Sequence, residues 1–441
     1  MRPCTSLRSS QLKAVIDVPG DKSISHRSLL ITSQAKGISF VSGLLESDDV
    51  FATMEALRLL GIDIVKLSDE RWQITGKGIS AFKQTTEILD MRNTGTGSRL
   101  LLGLAAGSAI ATSFTGDESL KKRPMGRILE PLKLMGAKVL SAVENDKMPL
   151  TILGSVDLKP IEYELPVASA QIKSAILFAG LSVAGKTIVI EPHPTRDHSE
   201  KMLVGLGADI KTEELADGKV KITLCGRPEL NPANIIVPGD PSSAAFLVVA
   251  ALITKDSELL IKNICINKHR IGLYITLKEM GANIEFVNKR IVAGEEVADI
   301  KVRSSKLHGV IVPEERAPAM IDEYPILAVA ASFAEGETVM LGLAELKVKE
   351  SNRLEVVANN LLACGSKVKV IGDDLYITGQ DKIKGGVTVK TFMDHRIAMS
   401  FLVMGLVTEQ AITVDDISMI DTSFPTFITL IQNIGGSINL A

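Results

Sequence analysis

The chain has 441 residues and a formal net charge of −3, which allows two ordinary domains and excludes the broad basic surface that nucleic acid or an acidic membrane would require. It is 46% hydrophobic but only 4% aromatic, so any core must be aliphatic. Anionic ligands would have to be caught by local clusters of Lys and Arg rather than by the net field.

In chain order, the first predicted strand covers 12–18 and stops at Pro19-Gly20, after which a helix begins near Ser23. Lys22 stands at its mouth, and Ser23 and Arg27, four apart, share a face. Free N–H groups and the dipole make such a helix start a receptor for phosphate or carboxylate. The segment Asn93-Thr94-Gly95-Thr96-Gly97-Ser98-Arg99 follows, with glycines that let backbone N–H groups approach an anion before an apolar helix. Lys121-Lys122-Arg123-Pro124-Met125-Gly126-Arg127 puts four cations within seven residues at another helix start, a density that calls for an anionic ligand.

Next come Ser169-Ala170-Gln171-Ile172-Lys173-Ser174, whose small polar groups suit a polyol, and Arg196-Asp197-His198, where Arg196 can pair with a phosphate bidentately. The spacing of His193 and His198 matches no common metal site, so no metal is expected. Segment 180–187, GLSVAGKT, matches the Walker A pattern letter for letter, but it lies between a predicted helix and a predicted strand, the reverse of what a P-loop needs. In the second half, Asp322 precedes a strongly apolar helix and is expected to cap it. Lys349 and Arg353 are expected on one helix face with Glu350 one step round, and Arg396 in Met393-Asp394-His395-Arg396 would be a further anion clamp.

One pattern recurs six times: an apolar helical stretch, a glycine, then an alternating strand. Gly61, Gly136, Gly207, Gly281, Gly365 and Gly435 mark it, 70 to 84 residues apart. A helix ending at a left-handed glycine and passing at once into a strand is a βαβ-type step, and six of them predict an α/β fold of two similar domains. A solenoid is disfavoured because its repeats are usually shorter. The halves also open alike, with VPGDKSISHRS at 18–28 and IVPGDPSSAAF at 236–246. The N-terminal domain is therefore placed at 20–239 and the C-terminal domain at 1–19 plus 240–441. Cys4, Cys225, Cys265 and Cys364 form no CxxC pair, no apolar run is long enough to span a membrane, and the first residues lack a signal-peptide core. A cytoplasmic protein is expected.

Taken together, GDKSISHR, KRPMGR, SAQIKSA, MIDEYP, KVKESNR and MDHRIAMSF occur in the order in which they stand in the 5-enolpyruvylshikimate-3-phosphate synthase family, which this chain resembles over essentially its whole length. The wording is closer to the class II branch. The resemblance implies two domains of three βαβαββ repeats each, an inside-out α/β barrel type, with the active site in the interdomain cleft. It implies transfer of the enolpyruvyl group of phosphoenolpyruvate to the 5-hydroxyl of shikimate 3-phosphate with release of phosphate, in the shikimate pathway to chorismate and the aromatic amino acids. By resemblance, Lys22, Ser23, Arg27, Ser169, Gln171, Arg196, Asp322 and Lys349 hold shikimate 3-phosphate, and Lys22, Gly95, Arg123, Gln171, Arg353 and Arg396 hold phosphoenolpyruvate. Asp322, Glu350 and Lys22 are the catalytic candidates. No cofactor is implied, the partners are the two small substrates, and a monomer is expected.

Two positions bear on variation within the family. Class I members carry Lys-Thr-Phe-Pro near the C-terminus, whereas this chain reads Thr422-Ser423-Phe424-Pro425, so that cation is missing. Glyphosate-tolerant class II forms tend to have Ala where Gly95 stands, and the glycine leans towards sensitivity. The nearest rival, a UDP-N-acetylglucosamine enolpyruvyl transferase, would use a cysteine in its first domain, and none lies between Cys4 and Cys225. A non-catalytic anion-binding repeat protein would have no need of Asp322 and Glu350 among so many cations.

Overall fold

A computed structural model describes residues 1–440. The marker glycines take the positions that the pattern demands. Helices Asp48–Leu59, Gly126–Met135, His198–Gly205, Gly272–Glu279, Arg353–Cys364 and Phe427–Asn433 each stop just before one of them. All six glycines have positive φ, between 89° at Gly61 and 114° at Gly136, where a Cβ would be strained. An antiparallel strand pair or its counterpart follows each stop.

The result is six four-stranded sheets with one connectivity. In each, two strands run parallel and the second continues antiparallel into the remaining pair; 89–90, 111–115, 147–153 and 138–143 are one example in spatial order. Two sheets exchange their outer strand. Lys13–Asp17 runs parallel to Glu258–Cys265, with Val15 opposite Leu260, and Asn234–Ile236 runs parallel to Lys36–Ser42. One compact unit therefore comprises Gly20–Val237 with Val292–Glu295, and the other comprises Met1–Pro19, Pro238–Ile291 and the chain from Glu296 onward.

Each unit holds three sheets around three helices that are almost wholly buried. They are Lys22–Gln34, Gly95–Ala106 and Ala170–Gly180 in the first, and Pro241–Ile253, Tyr324–Ser332 and His395–Gly405 in the second. Helices within and sheets around them form the inside-out α/β arrangement, in two similar units of three repeats. The scarcity of aromatics has its physical meaning here, since Ala, Leu, Val and Gly let helices pack closely on every face. The buried helices matter for function because their N-termini carry the sequence motifs, and those ends point their free N–H groups out of the core. Among the described residues, no helix is long and apolar enough to cross a membrane.

Candidate active site

In the unit built on Gly20–Val237, the buried helices bring their first turns to bear with their cations. Asp21 caps Lys22–Gln34 by accepting from the Ile24 amide at 2.8 Å. Lys22 is tied at 3.0 Å to Asp49, a buried carboxylate at the start of helix Asp48–Leu59. Arg27 is 2% exposed, and its Nε donates to Ser199 Oγ at 2.7 Å and its Nη2 to Ser174 Oγ at 2.9 Å. Its Nη1 returns to the Ser23 carbonyl at 3.1 Å, so its fork is fixed in direction.

Thr94 caps the glycine helix, accepting from the Gly97 amide at 3.0 Å. Gln171 joins two helix starts: its Oε1 accepts from Arg99 Nη1 and its Nε2 donates to Thr96 Oγ1, both at 3.0 Å. Ser169 caps Ala170–Gly180 through the Ile172 amide. Arg123 lies buried between two helices and donates to Asn93 Oδ1 at 2.8 Å. A methyl at Gly95 would come within 3.0 Å of the Arg123 guanidinium and 2.9 Å of that of Arg99. Arg196 is half-buried in the loop between strand Lys186–Glu191 and helix His198–Gly205.

In the other unit, Arg353 is the centre. It is 1% exposed and donates through Nε to Asp394 Oδ2 at 2.8 Å, through Nη1 to Asp322 Oδ1 at 3.2 Å, and through Nη2 to Glu350 Oε2. Burial alone would pull its pKa down, but Asp394, Glu350 and Asp322 outweigh that and push it above its ordinary value. Arg396 lies beside the group, donating to the Asp322 carbonyl at 3.3 Å and reaching Glu323 at 3.6 Å.

Two local expectations are corrected. Asp322 does not cap the helix that begins at Tyr324; Glu323 holds the cap position without a side-chain bond, because the Asp322 carboxylate is taken by Arg353 and Glu323 is turned to Ser242 and Arg396. Lys349 and Glu350 are not helical either. Lys349 is extended, a turn carries 350–352, and the helix starts at Arg353 with Asn352 as its cap. Glu350 meets Arg353 through that turn and not along a helix face.

Other partners were not singled out in the sequence. Asp394 stood within the MDHR motif but caps helix His395–Gly405 while gripping Arg353. Asp49, Asn93, Ser174 and Ser199 orient Lys22, Arg123 and Arg27. Nothing in the sequence signals these pairings, because they join residues far apart in the chain, Lys22 with Asp49 and Arg27 with Ser199 among them. The Walker-like segment runs from helix Ala170–Gly180 into strand Lys186–Glu191, an order that aims no helix N-terminus at a phosphate.

The EPSP synthase (3-phosphoshikimate 1-carboxyvinyltransferase) family model matches residues 7–431. A 3-phosphoshikimate 1-carboxyvinyltransferase of Chelativorans sp. is 53% identical over 439 residues, covering 99% of this chain and 98% of that one. That of Bradyrhizobium diazoefficiens is 51% identical over 438 residues, covering 99% and 93%. Among solved structures, an EPSP synthase from Acinetobacter baumannii is 42% identical with a TM-score of 0.88 and full coverage of both chains. The enolpyruvyl transferase NikO from Streptomyces tendae, at 17% identity and a TM-score of 0.79, shares the fold. The chain belongs to the EPSP synthase (3-phosphoshikimate 1-carboxyvinyltransferase) family.

Proposed function

We propose that this enzyme divides its work between the two residue sets: the cations and helix starts around Lys22, Arg27, Arg123 and Arg196 gather the substrates' negative charge, and the carboxylates on Arg353 move protons. The reaction is transfer of the enolpyruvyl group of phosphoenolpyruvate to the 5-hydroxyl of shikimate 3-phosphate, with release of phosphate, a step of the shikimate pathway to the aromatic amino acids. Two polyanions must meet, so neutralising the sugar phosphate, the carboxylate and the departing phosphate is the first requirement.

Shikimate 3-phosphate is held by Lys22, Ser23, Arg27, Ser169, Gln171, Arg196, Asp322 and Lys349. Phosphoenolpyruvate is held by Lys22, Gly95, Arg123, Gln171, Arg353 and Arg396. Asp322 takes the 5-hydroxyl proton as the oxygen attacks C2 of phosphoenolpyruvate, and Glu350 delivers a proton to the methylene carbon, which becomes a methyl group. The resulting tetrahedral ketal phosphate loses a methyl proton to Glu350 as the C–O bond to phosphate breaks. Lys22 shares in neutralising the charge that develops.

The observation that carries the assignment is the placing of both acids on one buried guanidinium, with side chains 19% and 18% exposed. Pure anion binding has no use for carboxylates there. Arg353 thus meets the protein's own acids, and its part in holding phosphoenolpyruvate is to keep them in place beside it. The glycine at position 95 supports sensitivity to glyphosate, since a Cβ there would press on the Arg99 and Arg123 guanidiniums. A monomer in the cytoplasm completes the proposal, the location being supported by four cysteines that are all free.

Phosphate release from phosphoenolpyruvate is expected to require shikimate 3-phosphate; release with UDP-N-acetylglucosamine in its place would overturn the substrate. Asp322→Asn and Glu350→Gln are each expected to lower kcat by about 10²–10⁴-fold. Turnover at the level of the unaltered enzyme in either variant would remove that residue from its role.

A further inference from the structure

The loop that carries Arg196 has no sheet partner to fix it. It leaves strand Lys186–Glu191, passes two prolines, and ends where helix His198–Gly205 begins. What holds it is a buried carboxylate. Glu191, the last residue of the strand, is 2% exposed, and its Oε1 accepts from the Thr195 amide at 3.0 Å and its Oε2 from the Thr195 hydroxyl at 2.7 Å.

Behind it stands Lys173, 1% exposed, with Nζ at 3.1 Å from Glu191 and 2.7 Å from Glu200, and 3.5 Å from the Thr195 carbonyl. Burial works against the ammonium, but Glu200 and Glu191 more than offset it and keep its pKa above the ordinary value. On the far side of Arg196, His198 Nδ1 lies 2.7 Å from Glu295 Oε1, while Lys201 bridges Asp197 at 3.2 Å and Glu295 at 3.3 Å. Asp197, His198 and Glu295 are close enough to suggest a metal site, but the Lys201 ammonium already fills the space between the two carboxylates.

Burying charge in this way is a poor means of gaining stability. Desolvation of a carboxylate and an ammonium consumes most of their attraction, and apolar residues of the same volume would serve as well or better. What a buried, fully hydrogen-bonded carboxylate provides is direction. Here it sets the backbone and side chain of the residue immediately before Arg196. A bidentate contact between guanidinium and phosphate depends on such direction.

We propose that Glu191, acting through Thr195 and backed by Lys173, is a positioning residue for Arg196, aiming its guanidinium at the phosphate of shikimate 3-phosphate. This rests on the assignment of Arg196 made above. Glu191 itself touches no substrate.

The test compares Thr195→Val, which keeps the volume and the amide bond but removes the hydroxyl donor, with Glu191→Gln and Arg196→Ala. The constants to be measured are KM for each substrate and the ratio of affinities for shikimate 3-phosphate and unphosphorylated shikimate. Thr195→Val is expected to raise KM for shikimate 3-phosphate about 10-fold, the worth of one hydrogen bond to a charged group, and to narrow the preference over shikimate by the same factor. KM for phosphoenolpyruvate and kcat should stay within about threefold. Glu191→Gln should act in the same direction.

If neither variant moves the shikimate 3-phosphate constants while Arg196→Ala does, the positioning role is overturned. If Arg196→Ala also leaves them unchanged, the assignment of Arg196 falls and the positioning role with it. An equal rise in both KM values together with a lowered melting temperature would mark Glu191 as merely structural and overturn the proposal as well.

Discussion

His26 shows how much one side chain inside the first motif is committed to the scaffold. It is fully buried, with Nδ1 at 2.9 Å from Thr53 Oγ1 and Nε2 at 3.3 Å from Thr94 Oγ1, so it ties the first buried helix to the cap of the glycine helix. Burial, and then the charges of Lys22 and Arg27, lower its pKa from 6.5 to about 3. The folded chain therefore holds His26 neutral where the unfolded chain would protonate it. This contribution to stability is complete above about pH 6.5 and declines by about 1.4 kcal/mol per pH unit as pH falls towards about 3. Urea titrations between pH 7 and 4 should show that slope. His26→Gln, which can bond to both threonines but does not titrate, should lower stability at pH 7 and flatten the slope by about one proton; an unchanged slope would refute the neutral buried state. Arg353 is committed in the same sense, to three carboxylates, and only their joint placement makes Asp322 and Glu350 neighbours.

Between elements, helices Gly95–Ala106 and Ala170–Gly180 approach closely. A Cβ on Gly103 would lie 2.3 Å from the Ala175 carbonyl oxygen, which is backbone and cannot step aside. The same helix pair carries the Arg99–Gln171–Thr96 link at its N-terminal ends. Gly103→Ala should therefore cost about 1–3 kcal/mol of stability and also weaken kcat/KM by moving Gln171. Gly365 makes the contrast. It ends helix Arg353–Cys364 at φ 96°, but its Cβ would find nothing nearer than 3.6 Å, so Gly365→Ala should cost about 1–2 kcal/mol through backbone strain alone and leave kcat/KM unchanged. Denaturation midpoints and steady-state kinetics on both variants distinguish close packing from conformational strain.

Across the whole molecule, the exchange of outer strands decides what can fold alone. All three sheets of the unit 20–237 are made of strands within that span. The other unit needs the start of the chain: Cys4–Leu7 lies between Ile412–Val414 and Ser437–Leu440, with Cys4 opposite both Val414 and Leu440, and Lys13–Asp17 completes a second sheet. Residues 20–237 expressed alone should unfold cooperatively in urea. Residues 238–441 should not, because removing a central strand exposes two ladders and opens the apolar core beneath them; supplying 1–19 as a peptide should restore a cooperative transition. Cooperative unfolding of 238–441 by itself would contradict this dependence.

Periodicity and local motifs were enough to read the repeat, the glycine stops, the buried helices and the order of the charged segments, because each is a short-range consequence of backbone geometry and apolar spacing. The reversed Walker-like segment was legible for the same reason, since helix-then-strand order is local. Side-chain commitments were not. Asp322 reads as a helix cap and Lys349–Arg353 as a helical face when only neighbours in sequence are considered. Both readings gave way to Arg353, whose desolvated charge must find carboxylates wherever the fold offers them, in this case 31 and 41 residues away at Asp322 and Asp394. The Glu191 brace on Thr195 and the Asp49 partner of Lys22 escaped notice likewise, because a lone acid in a sequence carries no sign of its partner. Architecture and family of chemistry lie in local patterns of the chain; which ions meet depends on packing, because a buried charge needs a partner that only the folded chain can bring to it.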